Sequence, residues 1–140
     1  MPPMTYGALA STELVAECNF EEALTQATKE IAAQPDDPEA YFNRGQALAG
    51  LARFAEAAAE YERALSLDAS ASGMDPEAAD DELFFALRNM AMAAKERPAE
   101  ALAALERYRR VLPQGRHVED IGKWADHING VEVVWVRESA

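Results

Sequence analysis

The sequence predicts an all-α fold: a short α-solenoid of three helix-turn-helix repeats and a C-terminal capping helix, followed by a strand-like or extended tail. Three observations carry this. First, the chain repeats itself at 34 residues, with Phe20 and Phe54, Glu22 and Glu56, Ala23 and Ala57, and Leu14 and Leu48 as matched pairs. Second, apolar residues recur three and four positions apart over most of its length. Third, alanine is abundant while Val and Ile are sparse before the last ten residues. That bias favours helices, because Ala loses no side-chain entropy in one, and it favours close packing of helices.

The best-formed pair of helices lies between Pro38 and Asp68. Pro38 suits a first helical turn. Tyr41, Leu48 and Leu51 share a face with Gly45 between them, and Gly50 and Arg53 bracket a short turn. Phe54, Ala57, Ala58, Tyr61, Ala64 and Leu65 then form a second apolar face. This copy spans about 38–71, and the 34-residue shift places an earlier one at about 4–37, stopped by Pro35.

A third copy is expected at about 82–115. Glu100-Ala101 matches Glu56-Ala57 at 44 residues, so ten residues have been added, within about 69–81. That segment is small, acidic and punctuated by Gly73 and Pro76, and is expected as an exposed loop. At the same offset Phe85 matches Tyr41, Asn89 matches Gly45 and Met92 matches Leu48. Pro98 opens the partner helix, whose apolar face is Ala101, Leu105, Tyr108 and Leu112, and Pro113 ends it.

Val118, Ile121, Ala125 and Ile128, with Trp124 alongside, predict a capping helix at about 117–129 that stops at Asn129-Gly130. The tail, residues 131–140, alternates like a strand. Three fates are open to it: an extended arm packed on the domain, pairing with a second chain, or disorder in isolation. Residues 1–140 are expected to form a single domain.

Composition narrows the function. A formal net charge of −12 argues against nucleic acid and anionic membranes, which need clustered Lys and Arg. The lone Cys18 allows no intramolecular disulfide and suits a reducing compartment. The N-terminus has no basic region or sustained apolar run, and no stretch approaches the length of a membrane span. A cytoplasmic protein is expected.

No catalytic, cofactor or metal site is expected either. His117 and His127 lie ten residues apart and do not share a face as an i, i+4 pair would. Cys18 has no base or orienting group in sequence. Glu21-Glu22, Asp36-Asp37 and Asp80-Asp81 sit at helix starts or in loops, where negative charge complements the helix dipole. Arg107, Arg109, Arg110 and Arg116 are expected to face outward and pair with nearby acids. There is no Gly-rich phosphate loop, zinc spacing or nucleophile elbow.

The segment 38–69 resembles the tetratricopeptide repeat family. Of eight pattern positions, Tyr41, Gly45, Leu48, Ala57, Tyr61 and Ala64 fit, while Arg44 and Ala69 depart. The first copy is looser and lacks an initial aromatic. The resemblance covers roughly residues 4–113 and implies a right-handed α-solenoid, non-catalytic, with a concave groove lined by the first helix of each repeat. The groove-lining candidates it implies are Thr12 and Val15, then Phe42, Asn43, Gln46 and Ala49, then Leu83, Ala86, Met90 and Ala93. Phe42 has two readings, ligand contact or packing on a neighbouring helix or the tail, because one face cannot bury both it and Tyr41.

Some family members, the chaperone-binding co-chaperones, hold a C-terminal carboxylate with Lys, Asn and Arg in the groove. Here only Asn43 fits that clamp, and Ala8, Thr12, Leu83 and Leu87 occupy the other positions. Acidic chaperone tails are therefore poor ligands. The expected partner is a protein or peptide segment, apolar or basic in character. The alternatives are a self-association module that forms a homodimer through the tail, and an accessory domain of a larger enzyme complex.

Overall fold

The structure, a computed structural model, describes residues 6–130. These form seven helices: α1 (Ala10–Ala16), α2 (Phe20–Ala33), α3 (Pro38–Gly50), α4 (Phe54–Leu65), α5 (Pro76–Ala93), α6 (Pro98–Val111) and α7 (Val118–Ile128). There is no strand among the described residues. Each helix packs on the next, α1 also packs on α3, and α3 touches α5. The result is an all-α solenoid in which the first helices of the pairs lie side by side, with α7 closing the end. The predicted tail, and the homodimer built on it, lie outside the described residues. None of the described helices is long and apolar enough to cross a membrane.

Local chemistry explains the helix boundaries. Pro38, Pro76 and Pro98 each open a helix where the missing N–H costs no bond. Asp37 and Asp75 cap α3 and α5, accepting the amides of Glu39 and Glu77 at 3.0 Å each. The turns inside the first two pairs are copies of one another. Cys18 and Ala52, 34 residues apart, both adopt the left-handed conformation, with φ of 59° and 60°. The following amides close the same bonds: Asn19 N–H to the Leu14 carbonyl at 2.9 Å, and Arg53 N–H to the Leu48 carbonyl at 2.8 Å. These bonds satisfy carbonyls that a helix end otherwise leaves open.

The core is built from small residues at helix crossings and a few large ones between them. Ala23, Ala27, Ala57, Ala58, Ala64 and Ala101 have no exposed surface, nor do Tyr61, Leu83, Leu87, Leu105, Tyr108 and Ile121. At Gly45 a Cβ would stand 2.6 Å from Cε1 of Tyr61, so the helix crossing requires the missing side chain.

Two expectations are corrected. The inserted segment is not a free loop through residue 81. Asp75-Pro76 starts α5, so residues 76–81 are helical. The remainder is strapped down: the Ser72 hydroxyl donates to Oδ1 of buried Asp37 at 2.8 Å, and Tyr6 N–H donates to the Ala71 carbonyl at 2.9 Å. Met74 packs with Tyr41, Ala64 and Ala79. An apolar side chain inside the insertion found an apolar hole, which composition alone concealed.

The second correction is one of register. Phe84, not Phe85, occupies the place of Tyr41: Phe84 is 4% exposed and Phe85 38%. Along α5 the offset from α3 is therefore 43 residues, pairing Tyr41 with Phe84 and Leu48 with Ala91. Along α6 it remains 44, pairing buried Ala57 with buried Ala101. One added residue sits in the turn between α5 and α6, which lacks the left-handed residue of the first two turns.

Candidate functional site

Among the first helices of the pairs, α1 packs on α3 and α3 touches α5. At the N-terminal end lies a polar network. Ser11, fully buried, gives its hydroxyl to Glu30, and Glu30 also accepts from Gln26 at 3.1 Å. Asn43 is 3% exposed, and its amide nitrogen donates to Ser11 Oγ at 2.9 Å and Thr12 Oγ1 at 2.8 Å. Thr12 in turn donates to Glu39 at 2.9 Å. Both Asn43 amide protons are thus committed to holding α1 on α3.

In the middle, Phe42 is half-buried, its ring 5.8 Å from that of Tyr61. It packs on a neighbouring helix and still shows part of its surface. The Tyr61 ring passes beneath Gly45, and its hydroxyl donates to Gln46 Oε1 at 2.5 Å. Burial, reinforced by the Glu82 carboxylate, pushes the Tyr61 phenol well above its ordinary range.

At the C-terminal end, Phe85 is the one large hydrophobic left exposed among the described residues. Arg88 spreads its guanidinium over three rings, 5.0 Å from the centroid of Phe85 and 5.8 Å from those of Phe84 and Trp124. With the 43-residue offset, Glu82, Phe85 and Asn89 stand on α5 where Glu39, Phe42 and Gln46 stand on α3.

The predicted groove residues divide accordingly. Thr12 is exposed, and Val15, Phe42, Gln46 and Ala49 are half-buried. Asn43 is buried within the polar network. Leu83 and Ala86, 0% and 2% exposed, are not on the open face but in the core, and half-buried Met90 packs against that core. One residue of register turns a helical side chain by about 100°, which carried these three from the face to its flank. Glu82, Phe85 and Asn89 were missed for the same reason. Adjacent Phe84 and Phe85 make either register plausible in sequence, and only the longer turn before Pro98 distinguishes them.

A second cluster fastens α7. Tyr108 donates to Asp80 Oδ1 at 2.5 Å and accepts the His117 amide at 2.9 Å. Asp80 Oδ2 accepts the Arg116 amide at 3.1 Å. The His117 ring stacks on Phe84 at 4.2 Å, with its nitrogens 2.7 Å from Asp81 and 3.2 Å from Asp120. Burial, and the bond to Asp80, push the Tyr108 phenol up. Ligand atoms of Asp80, Asp81 and His117 lie within 4.8 Å of one another, so these are the residues that could hold a cation. Both Asp80 oxygens already accept hydrogen bonds, and Arg116 lies 3.4 Å from Asp81, so the arrangement works as a latch without one. Arg107 pairs with Glu62 of α4 and Arg109 with Glu106, in keeping with the outward role expected of the arginines.

Comparison with known proteins agrees with this architecture. Residues 9–73 match the Tetratricopeptide repeat family. No curated protein matches the sequence. Among solved structures the chain is similar to the TPR2B-domain:pHsp70 complex of yeast Sti1, at 26% identity and a TM-score of 0.51, over 86% of this chain and 90% of that one. Residues 9–73 thus match the tetratricopeptide repeat family, and a third helix pair and a capping helix continue the same architecture through α7.

Proposed function

We propose that this chain is a non-catalytic binding module that takes a protein or peptide segment on the face formed by α1, α3 and α5. The observation that carries this reading is Phe85. Phe85 packs against Phe84, His117 and Arg88 on one side and still leaves 38% of its surface open, at the place on α5 that half-buried Phe42 holds on α3, and apolar surface rimmed by polar groups suits an interaction site. The match to the tetratricopeptide repeat family and the likeness to the Sti1 domain, which is in complex with pHsp70, support a protein partner in general terms. The ligand of that protein does not carry over, because Asn43, alone among the clamp positions, has its amide engaged by Ser11 and Thr12.

The test is Phe85→Ala and Phe42→Ala, each checked for unchanged helical circular dichroism, against peptides selected from a random displayed library on the wild-type protein. Loss of roughly tenfold or more in affinity for either variant is expected, as for an aromatic anchor. Full retention of binding in both would remove the face from consideration.

A further inference from the structure

The acidic and aromatic groups on α5 define the kind of segment this face accepts. Glu82 lies on the open side of α5, one turn before Phe85, and is half-buried. It makes no ion pair or side-chain hydrogen bond among the described residues. Its carboxyl is raised above the ordinary range by burial and by neighbouring Asp81, the cost of a carboxylate placed beside apolar surface and a like charge.

Other charges nearby do not neutralise it. Glu39, at the matching place on α3, is also negative and is held by Thr12. Asp81 is engaged by His117 and Arg116. Arg88 is the nearest cation on the helix, six residues on and about 9 Å along the axis, and it is spread over Phe84, Phe85 and Trp124. A half-buried carboxylate with no ion pair among the described residues therefore sits one turn before an exposed ring on α5.

We infer that Glu82 selects a basic segment, receiving a Lys or Arg side chain while Phe85 packs against that side chain's methylenes or an adjacent apolar residue. Long cationic side chains suit such a site, since the stem covers apolar surface and the head reaches the carboxylate. This rests on the proposed binding face and names the chemistry of its partner. The chain's net charge of −12 would add long-range attraction for the same partners.

The experiment is selection of a random displayed peptide library on the wild-type protein and on Glu82→Gln, with Phe85→Ala as the marker of the face. Circular dichroism establishes that each variant is folded. Enrichment of Lys or Arg beside an apolar residue on the wild type, with roughly tenfold weaker binding of those peptides to Glu82→Gln, is the expected result. Peptides that depend on Phe85 but carry no basic enrichment, or bind Glu82→Gln equally well, overturn the cation assignment and leave the face standing. Peptides rich in Asp or Glu would overturn it too, and would point to Arg88. Failure to select any peptide sensitive to Phe85→Ala overturns both the assignment and the face.

Discussion

Glu30 caps a helix to which it does not belong: its carboxylate accepts the Ser11 amide at 3.2 Å and the Ser11 hydroxyl, 19 residues away in sequence. Helix α1 has seven residues and no side-chain cap of its own. A helix that short is unstable in water by itself. Its open amides are met by α2, and its buried serine is shared between Glu30 and Asn43. Replacing Glu30 by Ala leaves a buried hydroxyl and an amide without that acceptor. The expected loss is about 1–2 kcal/mol, with fast amide exchange confined to α1. Urea unfolding and hydrogen exchange together check it; unchanged exchange at Ser11 would show that the cap is dispensable.

Gly45→Ala is expected to destabilise by about 1–3 kcal/mol through overpacking. Its Cβ would meet Cε1 and Cδ1 of Tyr61 at 2.6 and 2.8 Å. Tyr61 has no exposed surface and its hydroxyl is tied to Gln46, so the ring cannot easily withdraw. Denaturant unfolding measures the effect, and the Gly45→Ala, Tyr61→Leu double variant should recover part of it.

Ala52→Gly should act in the opposite direction. Ala52 holds φ of 60° at an exposed turn, where its Cβ crowds the following carbonyl. Glycine relieves that strain, and a gain of about 0.5–1 kcal/mol is expected after its larger unfolded-state entropy is counted. A higher thermal midpoint is the readout. Gly at Cys18 should behave similarly, since the two turns share their hydrogen bonds.

Alkaline pH should destabilise the fold through its tyrosines. Burial raises the phenols of both Tyr61 and Tyr108 above the ordinary value of 10.0. The folded state then holds its phenolic protons more tightly than the unfolded chain does. Stability is therefore retained below that ordinary value and falls as pH rises through it toward the folded values. Tyrosinate absorbance from these two residues should appear together with loss of helical circular dichroism. Tyrosinate formation from all four tyrosines while the helices stay intact would contradict this.

Tyr108→Phe should loosen the cap. It removes a donor to Asp80 and an acceptor for the His117 amide, leaving a nine-tenths-buried carboxylate with one partner fewer. A loss of about 1–3 kcal/mol is expected. It should be accompanied by faster amide exchange in α7 than in α3 or α4.

Much of the fold was legible because its determinants are local and periodic. Pro38 and Pro98, the 34-residue spacing of Phe20 and Phe54, and the alanines at crossing positions each act through helix geometry, which depends on near neighbours in sequence. For the same reason the partial or full exposure of Thr12, Val15, Phe42, Gln46 and Ala49 follows the repeat spacing.

The sequence by itself determined the fold class, the helix pairs and the absence of a basic clamp around Asn43. Only the tertiary structure decided that Phe84 goes in and Phe85 stays out, and with them that Leu83 and Ala86 lie in the core. Two adjacent phenylalanines have almost equal claims on a core site, and periodicity cannot separate them once a turn lengthens by one residue. The choice rests on partners distant in the chain: Tyr108 and the His117 ring form the slot that Phe84 fills. The same holds for Met74 in its pocket and Glu30 at the head of α1, contacts between segments that sequence spacing does not relate.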